Sequence, residues 1–109
     1  MKNLFLKIIK KEIKSNILFE NKRVIAFYDT NPKTKGHFLV VPKTYSRNLI
    51  TIKEQDLRYC FSIARKLAKK EMIKQKADGF KLVVNNEPSS NQVVFHTHIH
   101  IIPSTKLPN

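Results

Sequence analysis

At 109 residues the chain is long enough for one domain around a single hydrophobic core, and no apolar run approaches the roughly 20 residues of a membrane span. The net charge of +13, from 21 Lys and Arg against 8 Asp and Glu, would draw polyanions, but the lysines are spread along the whole length without interleaved aromatics. That pattern reads as a solvated, lysine-rich surface, and specific nucleic-acid recognition is not indicated. One cysteine, Cys60, cannot form an internal disulfide, which suits a reducing cytosol. Lys7, Lys10 and Lys11 interrupt the apolar N-terminus and argue against a signal peptide.

In chain order, Leu4 or Phe5, Ile8 or Ile9, and Ile13 recur at helical spacing with lysines opposite. They predict a short amphipathic helix within residues 3–13, with Asn3 in the capping position. Residues 17–20 and 24–28 read as two strands joined by a turn at Asn21-Lys22. A polar loop over residues 29–36 leads to a third strand, His37 to Pro42, ended by its proline. Thr51-Ile52-Lys53-Glu54 has the form of a capping box opening a long helix. Leu57, Phe61, Ala64, Leu67, Ala68 and Met72 then mark its core face, opposite Lys66, Lys69, Lys70 and Lys74. Cys60, beside that stripe, reads as an inert packing residue. Residues 80–85 form a fourth strand, and a second polar loop, residues 86–92, delivers the chain into Phe95–Pro103, with a short tail after it. The order predicts an α+β fold: a five-stranded antiparallel sheet with a short N-terminal helix and one long helix. Residues 1–109 show no repeat, low-complexity stretch or linker.

Three of the four histidines lie in Phe-His-Thr-His-Ile-His-Ile-Ile-Pro, at His96, His98 and His100. On a strand all three rings face one way, while Thr97, Ile99 and Ile101 face the other. Such a strand admits three readings: a half-buried strand that happens to carry histidine, a metal site, or nucleophilic chemistry at phosphorus. The outer rings start from Cα atoms ~13 Å apart, so at most two of the three could share one zinc. Further soft ligands are limited to Cys60 and His37. Nucleophilic chemistry is the preferred reading: one ring attacks while its neighbours orient it and hold the phosphate. His37, at the head of the third strand, could reach the same edge.

His-x-His-x-His followed by two apolar residues resembles the histidine triad family of nucleotide-binding hydrolases and transferases. The resemblance covers nearly the whole chain: residues 5–13 are similar to its opening helix, Ala26-Phe27-Tyr28-Asp29 to its ribose-binding strand end, and residues 36–43 to its third strand. It implies that His98 attacks the α-phosphorus of a nucleoside 5′-phosphate derivative and forms a nucleotidyl-imidazole that water hydrolyses, with no metal or other cofactor in the chemical step. His100 and Gln92 would hold phosphate oxygens, His96 and His37 would form the supporting relay, and Asn85 would serve the leaving-group side. Asp29 would accept both ribose hydroxyls, and Phe5, Ile8, Ile13 and Phe27 would sandwich the purine. On the residues alone, Asp29 reads as a turn residue, Asn85 as a strand end, Gln92 as a solvated loop residue, and the four apolar residues as core.

The chain departs from the family at Val93, where a polar residue often meets the phosphate, at Ser90-Asn91 in place of a glycine pair, and at Pro103. The zinc-binding cysteines of some members are missing. By resemblance the chain is a cytosolic homodimer, with the long helices at the interface, that cleaves purine nucleoside 5′-phosphoramidates of the AMP-amine kind. A dinucleoside polyphosphate hydrolase, or a basic nucleotide- or nucleic-acid-binding protein with little turnover, are the alternatives.

Overall fold

A strand that alternates apolar residues on both faces must be covered on both, and the middle of this chain supplies three such strands. The computed structural model describes residues 3–105; the sequence readings on Met1, Lys2 and residues 106–109 lie outside the described residues. In chain order the elements are α1 (Leu4–Ile9), β1 (Ile17–Glu20), β2 (Val24–Tyr28), β3 (Phe38–Pro42), α2 (Glu54–Gln75), β4 (Gly79–Val83) and β5 (Ile99–Ser104). The strands form one antiparallel sheet in the order β1-β2-β3-β5-β4. This is the α+β architecture that the sequence pattern predicts.

Val24, Ala26, Phe38, Val40, Ile99 and Ile101 form one face, packed under Cys60, Ile63, Ala64, Leu67 and Ala68 of α2. Ile25, Phe27, Leu39 and Val41 form the other face, packed against Phe5 and Ile8 of α1. Twenty-two residues of helix lie over the first face and six over the second. The second face is therefore only partly roofed, and its open part lies over β5 and β4.

Local chemistry sets the element ends. Asn21 Oδ1 accepts from the amides of Arg23 and Val24 and closes the β1–β2 turn. Asn3 Oδ1 accepts from the amides of Phe5 and Leu6 and caps α1, which stops at Ile9 short of the predicted extent. The capping box is a correction: α2 starts at Glu54 behind Lys53, without a side-chain cap. The Thr51 hydroxyl instead accepts from the amides of Arg47 and Asn48 in the preceding turn. The buried stripe of α2 is also rotated from the predicted one, taking in Cys60, Ile63 and Glu71 and leaving Leu57, Phe61 and Met72 half-buried. Burial pushes the Cys60 thiol up to about 12, consistent with its reading as packing. Glu71 is tolerated there because Tyr28 Oη and Gln75 Nε2 donate to its two oxygens. Among the described residues no helix is long and apolar enough to cross a membrane.

Gly36 joins the loop to the third strand at φ +89°, where an added Cβ would lie 2.7 Å from Gln75 Cγ and 3.0 Å from Glu71 Oε2. Gly36→Ala is expected to lower the unfolding free energy by about 1–3 kcal/mol. Urea denaturation measures it, and a variant as stable as the wild type would show that the α2 contact yields freely.

Candidate active site

The predicted histidine strand is shorter than its sequence pattern. β5 begins at Ile99, where the β3–β5 ladder ends with Val40 opposite Ile99. Upstream of it the chain turns to a different partner: the Thr97 amide donates to Ser46 O at 2.8 Å, and the Thr97 and Ser46 hydroxyls bond at 2.7 Å. His96, His98 and His100 still share a face. The His98 and His100 ring centres are 5.0 Å apart, and the Phe5 ring meets His98 edge-on at 4.8 Å.

The hydrogen-bond partners fix each ring's tautomer, since an amide N–H only donates and a carbonyl oxygen only accepts. Lys33 N–H donates to His37 Nδ1 at 3.1 Å, so the His37 proton sits on Nε2 and is directed at His100 Nδ1, 3.0 Å away. His100 therefore carries its proton on Nε2. His98 Nδ1–H donates to the His96 carbonyl oxygen at 2.7 Å, which leaves the His98 lone pair on Nε2. His96 Nε2–H donates to Pro42 O at 2.7 Å, and His96 Nδ1 accepts from Asn3 Nδ2 at 2.9 Å.

His98 is only 5% exposed. Among the described residues no buried side-chain nitrogen or oxygen lacks a partner, and the His98 Nε2 has none. That nitrogen therefore opens on the cavity of about 680 Å³ that occupies the unroofed part of the sheet. Burial holds His37, His96 and His98 below the ordinary imidazole range. Burial, together with any charge on His98 or His37, lowers His100 to about 4. All four rings are neutral at pH 7. A buried neutral imidazole with a free lone pair can act as a nucleophile, and the N–H of a neighbouring neutral ring can donate to an anion.

The cavity gathers most of the predicted site residues: Phe5, Ile8, Ile13, Phe27, Asp29, His37, Asn85, His98 and His100 all line it. Ile13 reaches it from beyond the end of α1, exposed rather than packed. Asp29 is a turn residue that also lines the cavity. Its Oδ1 accepts from the Asn31 amide in the turn, while Oδ2 lies 3.5 Å from His37 Nε2 and 3.9 Å from His100 Nδ1. Asn85 makes no side-chain hydrogen bond among the described residues. His96 stands behind the cavity, fully buried.

Gln92 is not brought to the cavity, contrary to its expected place at the phosphate. Its Nε2 donates to the carbonyls of Arg47 and Val94, and its Oε1 accepts from the Glu87 amide, so both ends are committed to backbone. Residues that the sequence did not single out also line the cavity: Lys14, Lys33 and Lys81 at its rim, and Leu39 on its floor. Lysines scattered through the sequence carry no signal that folding would gather three of them here. Asp29, His37 and His100 bring one possible ligand atom each within 4.8 Å of the others. That is the grouping a metal ion would use here, while the three rings of the triad do not converge on one point.

A family model described as the HIT domain matches residues 10–107. A 13.1 kDa HIT-like protein of Mesomycoplasma hyorhinis is 57% identical over 94% of this chain and 93% of its own length. The crystal structure of a Hit-like protein from Bartonella henselae, titled as involved in cell-cycle regulation and as holding an unknown ligand, matches with TM-score 0.94. That match has 40% identity over 96% of this chain and 81% of the other. A histidine triad nucleotide-binding protein from Candida albicans matches with TM-score 0.88 and 31% identity, over 96% of this chain and 76% of that one.

An unfolded imidazole titrates near 6.5 and the folded rings titrate lower, so between pH 6.5 and about 4 the unfolded chain binds more protons. The stability these rings contribute is complete above about pH 6.5 and falls as the pH drops toward about 4. Urea titrations across that window are expected to show the loss, with a shallower slope in His100→Asn. A flat profile in the wild type would mean that the folded rings take up protons as readily as unfolded ones.

Proposed function

The chain belongs to the HIT domain family, with its nucleotide-binding, hydrolase-like fold, and from that premise we propose that it hydrolyses purine nucleoside 5′-phosphoramidates through a nucleotidyl-His98 intermediate. The observation that carries this reading is the His98 Nε2 lone pair, unpartnered and opening on a cavity of nucleotide size. Nε2 attacks the α-phosphorus and the P–N bond to the amine breaks. The His98 Nδ1–H, held by the His96 carbonyl, shares the positive charge that the ring acquires. Water then attacks phosphorus and the P–Nε2 bond breaks. The amine leaves with a proton taken from solvent in the first step, and the attacking water returns a proton to solvent in the second, so over the cycle water supplies a hydroxyl to the nucleotide and a proton to the amine.

His100 Nε2–H donates to a phosphate oxygen, and His37 fixes that tautomer from behind. Asp29 Oδ2 accepts from the ribose, Asn85 serves the leaving-group side, and Phe5, Ile8, Ile13 and Phe27 enclose the purine. No metal or other cofactor is required for the step. The three rim lysines support a second reading, a dinucleoside polyphosphate as substrate, because its leaving group is itself anionic.

The working unit in this proposal is a cytosolic homodimer of one domain per chain. The surface it would use is the groove between α2 and β4, where Ile73 is 73% and Phe80 41% exposed among Arg65, Lys66, Lys69 and Lys76.

Rapid acid-free quenching with an adenosine 5′-phosphoramidate, followed by peptide mass spectrometry, is expected to find the adenylyl group on His98. His98→Ala should lower kcat by about 10⁴-fold or more while AMP still binds. Near-wild-type kcat in that variant removes His98 from the role, and tight AMP binding by a wild type without turnover makes the chain a binding protein. Asp29→Ala should bring the affinities for ribo- and deoxyribonucleotides together, a difference of about 1–2 kcal/mol in the wild type. Equal affinities in the wild type would count against the ribose contact.

A further inference from the structure

Asn3, the cap of α1, carries a polar side chain that reaches the triad, and both ends of its amide are used. Oδ1 accepts from the Phe5 amide at 2.9 Å and the Leu6 amide at 3.1 Å. Those two donors decide which end of the amide is oxygen, so the end facing His96 Nδ1 at 2.9 Å is the NH2. His96 must then accept at Nδ1. Its other nitrogen faces Pro42 O at 2.7 Å, which can only accept, so two independent partners require one tautomer.

The His96 ring is fully buried, and its own carbonyl oxygen receives the His98 Nδ1–H. A His96 ring turned over would set Cδ2–H against the Asn3 NH2 and Cε1–H against Pro42 O, and a ring protonated at Nδ1 would set N–H against N–H at Asn3. The residue whose carbonyl orients the His98 ring would then be displaced. The same Asn3 oxygen holds the first turn of α1, from which Phe5 meets the His98 ring at 4.8 Å and Ile8 lines the cavity. One side chain thus ties the wall of the cavity to the backbone that aims the lone pair.

We infer that Asn3 is a positioning residue for the reaction proposed above: its amide fixes the His96 tautomer and, through the His96 carbonyl, the alignment of His98. This inference rests on that functional reading, because alignment matters only if His98 attacks. It needs no contact between Asn3 and the substrate.

Asn3→Asp is the discriminating variant. Aspartate is as good a cap as asparagine, so α1 and nucleotide binding are retained. Its carboxylate cannot donate, and it draws a proton onto His96 Nδ1. The expected result is a KM within about twofold of wild type and a kcat lowered by about tenfold or more, the usual scale for losing a group that orients a reacting imidazole. ¹⁵N spectra of ring-labelled protein should show His96 Nδ1 unprotonated in the wild type and protonated in Asn3→Asp.

Asn3→Ser keeps a capping oxygen but has no NH2 to reach the ring, so it should lose kcat alike. It carries the test if the aspartate variant does not fold. Wild-type kcat in both variants, or a wild-type His96 protonated at Nδ1, overturns the inference. A wild type without turnover on any nucleotide substrate overturns the functional reading, and with it the catalytic role of Asn3; the spectra still judge the Asn3–His96 bond.

Discussion

The lone pair on Nε2 of His98 exists because a backbone carbonyl holds the proton at the other end of the ring. An imidazole in water exchanges its proton between both nitrogens and picks up a second one near pH 6.5. Here neither is allowed. The carbonyl of His96 accepts and cannot give, and the buried setting makes a second charge costly. Each neighbouring ring is governed by the same rule, with a one-way partner at one nitrogen deciding what the other presents. The Lys33 amide dictates His37, and His37 dictates His100. Directional bonds from backbone groups are the right material for this, because they do not titrate.

The fold makes room for that arrangement by covering the two faces of one sheet unequally. α2 roofs one face and fills it with Ile63, Ala64, Leu67 and Ala68. The six residues of α1 shelter only the part of the other face over Ile25, Phe27, Leu39 and Val41. What remains uncovered is where β5 presents alternate side chains as His100 and Ile102. The loop leading into the triad needs its own support, since Glu87 stands at φ +74°, ψ +156°, a conformation costly for any residue but glycine. Two bonds from Arg47 and one from Asn48 hold the Glu87 carboxylate, and Gln92 takes its amide. Those four hydrogen bonds converge on one residue and hold it in that strained conformation.

What the sequence discloses and what it hides divide along the range of the interactions involved. The strands, the sheet faces and the common direction of the three rings are legible because alternation is a property of neighbours. So is the turn at Asn21, whose bonds span two and three residues. The capping box fails because Thr51 finds donors at Arg47 and Asn48, four and three residues back, that a forward-reading motif does not consider. Gln92 fails for a longer-range reason: its amide nitrogen meets the Arg47 carbonyl across 45 positions of chain, and a glutamine with three backbone partners has nothing left for a phosphate. Asn3 was legible as a cap, which uses its oxygen; its nitrogen meets a histidine 93 positions away. The resemblance to a family carried Asp29 and Asn85 to the cavity, where pattern alone left them a turn residue and a strand end.

The basic composition also takes on a different meaning once the chain is folded. Spread along the sequence, lysine is a solvated surface residue, and most of the +13 charge is that. Lys33 is not merely that, because its backbone amide fixes the His37 tautomer while its ammonium opposes protonation of both His37 and His100. A cation near an imidazole works in the same direction as burial, disfavouring the imidazolium. Asp29 works the other way, and a cavity with Asp29 as its acidic wall would otherwise favour protonated rings. Burial is the larger of the opposing effects and Lys33 adds to it. The site can therefore keep a carboxylate within 3.5 Å of His37 without turning its histidines into cations. Of the lysines that line the cavity, Lys33 is thus the one that helps to keep the neighbouring rings neutral.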